Sequence, residues 1–281
     1  MTSCMPCKRA PNCATAPRAA IILHDTADEK FLARYPHKVK HLTAPMSKTL
    51  QKSRICTFTR RRGAKPASMR MVWAISVPLY FAVLCGYIWL VLPHKGAMAA
   101  KVVFFVLAGV FPILVNILAG DRPAHSGIRL DNIAESARLT SIMTLAMAGL
   151  VTAVAVATDG FHWGRTARFL ELCVIYLGWG IAQQYLLQAF TLRRLREANL
   201  GLIPSVLIAS LIFAAMHAPN WLLSAVTFVA AIVWCLLFIH RPNIFTLGLS
   251  HAVLAVLLYH SWPKVWLQGL AIGPMFLRRS G

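Results

Sequence analysis

Charge is what this sequence has least of. Only 14% of its 281 residues are charged, and only nine are acidic. A water-soluble domain is about a quarter charged, so there is too little polar side chain here to cover a soluble body. A hydrophobic share of 58% and a mean hydropathy of +0.61 exclude a disordered chain. Seven cysteines without a secreted context do not form a disulfide framework. Cys85, Cys173 and Cys235 stand singly in apolar runs and read as small buried hydrophobes. Cys4, Cys7, Cys13 and His24 offer zinc-ligand types at a loose spacing. No apolar segment of signal-peptide form opens the chain. What the sequence does have is long apolar runs, which make it an all-α, polytopic membrane helix bundle.

The basic excess is uneven. Residues 1–70 carry 15 Lys and Arg against Asp25, Asp28 and Glu29, and they include Pro6, Pro11, Pro17, Pro36, Pro45 and Pro66. Such a stretch buries too little to offset its chain entropy and reads as a disordered basic tail. Met69-Arg70-Met71 stands just before the first apolar run and offers an alternative start. Beyond it, runs near the 20 residues that a bilayer crossing needs fall at 71–92, 99–119, 140–158, 169–191, 202–218, 221–239 and 244–260. A shorter run at 265–277 is an eighth span or a helix on the surface. The N-terminal spans occupy 71–168 and a core follows over 169–281. Arginine placement (Arg122, Arg129, Arg138, Arg193, Arg194, Arg196 and Arg241 against Lys95, Lys101, Arg165, Arg168 and Lys264) puts the N-terminus in the cytoplasm. An eighth crossing returns Arg278 and Arg279 to that side.

Hydrogen-bonding groups are costly in lipid, so the polar residues within spans are the places to look for function. Asn116 stands alone in the second span and reads as interhelical glue. Trp179, between Gly178 and Gly180, reads as a packing notch. Gln183, Gln184 and Gln188 share the fourth span; Phe213, His217 and Asn220 close the fifth; His251 lies in the seventh. Gln183 and His217 each lie 17 residues from Leu200, at about 25 Å of helix rise and so at one depth. His251 is nine residues or so past the next turn, roughly 10 Å short of that depth unless the turn is sunk.

These strings resemble the CPBP family of intramembrane proteases (CAAX-protease and bacteriocin-processing proteins). The likeness rests on QQYLLQ at 183–188, the Phe213 to His217 spacing, the His217-Ala218-Pro219-Asn220 ending and RPNIFTLGLSHAV around His251. Gly127–Asn132 is similar to a segment that precedes the core in such proteins. The resemblance implies hydrolysis of a peptide bond within the membrane, without a metal or other cofactor, on a peptide or prenylated protein, in a bacterial plasma membrane. It places the family's two glutamates on Gln183 and Gln184, its arginine on Gln188, its histidines on His217 and His251, and its asparagine on Ala255.

That pattern gives His217 as proton acceptor, Gln183 and Gln184 as positioners of water or substrate, and His251 as oxyanion stabiliser. Gln188, Phe213 and Asn220 line the substrate, with Asn220 a replacement for the missing oxyanion donor. A glutamine amide does not titrate near neutrality and cannot act as the general base. Ser250, beside His251, carries no mark of an activated nucleophile. The rival is a binding or scaffold protein on the same fold. A transporter is disfavoured, since neither an acidic relay nor paired broken helices are present. The basic tail suits anionic membrane lipid at about 1 kcal/mol per Lys or Arg. No nucleic acid is expected, because nothing in the chain reads bases.

Overall fold

The computed structural model describes residues 67–280, apart from 95, 97 and 163–165. Of the expected basic tail, residues 1–66, including the Cys4, Cys7, Cys13 and His24 group, lie outside the described residues. Ala67–Arg70, read as tail, already belong to the first helix. The chain is an integral membrane helix bundle. Helix α1 (Ala67–Gly86) continues as a π-helical turn (Tyr87–Val91), and α2 (Met98–Leu118) and α3 (Ile133–Ala157) follow. Next, α4 (Thr166–Gln184) runs through a π-helical stretch (Tyr185–Leu192) into α5 (Arg193–Glu197). Then come α6 (Leu202–Ala215), α7 (Trp221–His240), α8 (Ile244–Ser261), and the short α9 (Lys264–Leu267) and α10 (Pro274–Ser280).

All seven expected runs are helical, with shifted ends; five are long and apolar enough to cross a membrane, and those at Ile75–Val91 and Leu202–Ala215 are shorter apolar helices. Ile133 and Ala137 already belong to the start of α3. The fourth span extends past 191 to Glu197, giving a continuous apolar helix from Phe169. At 14 residues, α6 rises about 21 Å, less than the about 30 Å of a hydrocarbon core.

The arrangement is inverted relative to a soluble protein. Large apolar side chains such as Phe105, Leu118, Leu145, Val174 and Leu211 are exposed, as lipid contact demands, while Gln184, Gln188, Asn116, Ser210 and Thr191 are buried. Helix α8 lies at the centre, 67% of its spanning residues enclosed against 11% for α2, and it packs chiefly on α4 and then on α3. Glycine makes the α4–α8 approach possible. A Cβ on Gly180 would lie 2.7 Å from Gly248 O, and one on Gly248 would lie 2.8 Å from Ile181 Cα. Gly178, by contrast, faces open space, and Trp179 lies over Phe105 at 6.3 Å. The notch is therefore Gly180 with Gly248. Gly248→Leu is expected to force the two backbones apart, at about 3 kcal/mol or more. A fall in the detergent unfolding midpoint well beyond that of Gly178→Leu checks it.

Both short turns of the core are covered by chain from elsewhere. The α7–α8 turn lies under residues 127–132: Ile244 N donates to Gly127 O at 2.9 Å and Asn243 Nδ2 to Arg129 O at 2.9 Å. Gly127 has φ +78°, and a Cβ there would meet Phe238 at 2.6 Å, so both backbone and space require glycine. Beside it, Arg129 holds the Asp131 carboxyl below the usual range by a hydrogen bond. The α6–α7 turn lies under the C-terminal segment, where Gly273 N donates to Ala218 O at 2.9 Å.

Residues 265–277 do not form an eighth span. Gln268, Gly269, Leu270 and Gly273 all have left-handed φ and break the run into two helices of four and seven residues. Arg279 donates to Gln268 O and Arg278 to Pro93 O, so neither crosses back. The arginine asymmetry is also smaller than a count suggests. Asp121 accepts from Arg193 and Arg194, Glu197 from Arg194, and Glu135 pairs with Arg241. Arg194 and Asp121 side chains are 0% and 1% exposed. This buried ion cluster joins the end of α2 to α5 and was not visible as a unit in the sequence.

Candidate active site

A polar pocket forms where α4, α6, α7 and α8 meet. Gln184 and Gln188, four apart, share a face; Gln188 Nε2 donates to Gln184 Oε1 at 3.1 Å, and both side chains are fully buried. Gln184 Nε2 in turn reaches His251 Nδ1 at 3.4 Å. The expected depth mismatch of His251 is thus absent: the α7–α8 turn is sunk beneath 127–132, and the Gly180–Gly248 contact draws α8 against α4. On its other face, the His251 ring stacks on Trp234 at 4.8 Å and 12°. Trp234 Nε1 is held by Ser250 Oγ at 3.1 Å, which also accepts from Thr144. Ser250 is therefore a hydrogen-bonding anchor for the indole.

His217 stands apart from the amides. Its Nδ1 lies 2.8 Å from Phe213 O, one turn back, and no amide bonds it among the described residues. The Phe213 ring contacts both imidazoles, with centroids 5.1 Å from His217 and 6.0 Å from His251. The amide partner is thus His251, where the sequence pointed to His217. Gln183 is half-buried beside Gln184, with no hydrogen bond among the described residues.

Two expected substrate contacts have other work. Asn220 is fully buried, donates to Leu267 O at 3.0 Å and Ala271 O at 3.2 Å, and accepts from Leu223 N as the N-cap of α7. Both amide hydrogens are spent, so it cannot replace the asparagine that Ala255 lacks. Gln188 supports Gln184 and faces the Cys235 thiol, as Ser210 does, rather than lining an open surface. Asn116 behaves as glue: it donates to Tyr185 Oη at 2.8 Å and Ala189 O at 3.2 Å, tying α2 to the π-helical stretch.

The tautomers follow from these bonds. Phe213 O can only accept, so His217 carries its proton on Nδ1 and leaves Nε2 as an acceptor. With the Gln184 amide turned so that its oxygen accepts from Gln188 and its nitrogen faces the ring, His251 accepts at Nδ1 and carries its proton on Nε2. One ring can take a proton and the other can give a hydrogen bond. None of the described carboxylates enters the pocket: Asp121, Glu197, Glu135 and Asp131 pair with arginines, Asp159 lies in a loop, and Glu171 is 13 residues before Gln184, about 20 Å of rise.

The composition of this pocket belongs to one segment of the chain. Residues 165–257 match the family model Type II CAAX prenyl endopeptidase Rce1-like. The motif resemblance is borne out over that Rce1-like segment, about a third of the chain, which spans α4 to most of α8. No curated protein and no solved structure matches the chain. Within the Rce1-like segment, the sequence pattern did not mark Trp234 or Ser210, and it marked Cys235 only as a small buried hydrophobe. A tryptophan midway along a span, away from the interfaces where it is usual, was the signal for Trp234. Serine and cysteine inside apolar helices give no comparable signal.

Proposed function

We propose that the chain is an intramembrane endopeptidase of altered chemistry, acting on a membrane-anchored peptide or prenylated protein. The observation that carries this reading is the opposite hydrogen-bonding of the two imidazoles. His217 Nε2 takes a proton from water as its oxygen attacks the scissile carbonyl carbon. His251 Nε2–H donates to the carbonyl oxygen as it becomes an oxyanion. The proton then passes from His217 to the leaving amine nitrogen. Gln184 holds His251 in the donor tautomer, Gln188 holds Gln184, and the half-buried Gln183 positions water or the peptide. Phe213 packs against both rings and fixes their positions.

A second reading is favoured by a different observation. None of the described carboxylates reaches the pocket and Ala255 offers no donor, which suits a protein that binds the same peptide segment without cutting it. One comparison separates the two. Membranes carrying the parent are expected to cleave a prenylated or leader-type peptide, and Gln183→Glu with Gln184→Glu to raise that rate by about 10²–10⁴ through a true general base. Cleavage by the double variant with none by the parent would assign the parent to binding.

A further inference from the structure

At the end of the bundle away from the arginine cluster, the C-terminal segment encloses a cavity of about 260 Å³ that the peptidase reading does not use. Its lining includes His162, Tyr259, Trp262, Lys264, Gln268 and Arg279. Neither Lys264 nor Arg279 makes an ion pair among the described residues; Arg279 donates only to Gln268 O, at 2.7 Å. This contrasts with the opposite end, where Arg129, Arg193, Arg194 and Arg241 are all matched by carboxylates. Two cations converging on one concavity, with no carboxylate paired to either among the described residues, make a site suited to an anion.

The backbone adds to it. Gln268, Gly269 and Leu270 have φ of 48°, 66° and 60°, a run of left-handed residues on the cavity wall. The Gly269 N–H has no acceptor among the described residues. Of the three amides only that of Gly269 is open to an anion, since Gln268 N donates to Lys264 O and Leu270 N to Leu267 O. The segment is not loose: Asn220 clamps Leu267 O and Ala271 O, and Gln268 N donates to Lys264 O at 2.7 Å. Trp262, Trp266 and Tyr259 surround it, the aromatic composition of a headgroup layer. Val265, 71% exposed, and Leu277, 52% exposed, flank it with apolar surface of the kind an acyl chain covers.

We propose that this cavity binds the phosphate of an anionic phospholipid headgroup. Lys264 and Arg279 supply charge, the Gly269 amide a directed hydrogen bond, and the neighbouring apolar side chains the contact with the tail. Free phosphate shares the headgroup chemistry but gains nothing from the apolar rim.

The test is native mass spectrometry of the full chain in detergent, titrated separately with phosphatidylglycerol, phosphatidylcholine and inorganic phosphate. A retained one-to-one phosphatidylglycerol adduct, stronger than that of phosphatidylcholine, is expected. Lys264→Gln and Arg279→Gln should each weaken it about fivefold, and together about twenty-fivefold. Lys264 makes no hydrogen bond through its side chain among the described residues, so Lys264→Gln should fold as the parent does, and Lys264→Arg should keep the adduct. Equal binding of the two lipids, or an adduct unchanged in both glutamine variants, would overturn the proposal. Displacement of the lipid by inorganic phosphate at millimolar concentration would overturn the lipid assignment in favour of a soluble phosphate.

Discussion

Asp121→Ala is expected to cost the bundle about 3–5 kcal/mol, among the largest losses of stability from any single substitution here. The aspartate follows α2 and is 1% exposed, and it meets Arg193 and the fully enclosed Arg194 on α5. Removing it takes one carboxylate from a buried guanidinium that Glu197 also meets. Desolvation of a buried charge that has lost this partner outweighs anything that alanine could recover. The paired replacement Asp121→Leu with Arg194→Met should return much of the loss, because two well-packed apolar residues carry no desolvation cost. Denaturant titration in detergent micelles checks both. A single variant as stable as the parent would remove the cluster from the account of how α2 is held to the core.

His217→Gln is expected to abolish peptide hydrolysis, by about 10²–10⁴ in rate, while leaving the fold intact. A glutamine amide can still donate to Phe213 O, so the local hydrogen bond survives, but it cannot take a proton from water. Equal thermal midpoints with a lost rate would separate chemistry from packing. A rate unchanged in this variant would leave His217 as a helix-end residue and move the proton acceptor elsewhere.

How far the sequence reached depends on what kind of contact was in question. The spans were legible because a helix in lipid must be apolar for its whole length, and the run lengths follow from bilayer thickness. Gln184, Gln188, His217 and His251 were legible as a group because polar side chains in spans are few. Their pairing was not. Depth counted along straight helices assumes turns at the bundle surface, and the α7–α8 turn lies instead beneath 127–132. The π-helical stretch at Tyr185–Leu192 breaks the 3.6-residue face rule just after Gln184. Asn220 looked like a spare donor because its acceptors, Leu267 O and Ala271 O, come from a segment read as a span or surface helix. The ion cluster escaped because Asp121, Arg193, Arg194 and Glu197 each sit at a helix end, where charge in a sequence reads as solvated.

The central claim is that two imidazoles from separate spans hold opposite tautomers in one pocket, each set by a single bond. Nitrogen-15 NMR of histidine-labelled protein in micelles measures this directly, with His217→Gln and His251→Gln assigning the two signals. The account predicts a neutral His217 protonated on Nδ1 and a neutral His251 protonated on Nε2. A His251 ring protonated on Nδ1, as a Gln184 amide turned with its oxygen towards the ring would require, would contradict it and leave the pocket without its oxyanion donor.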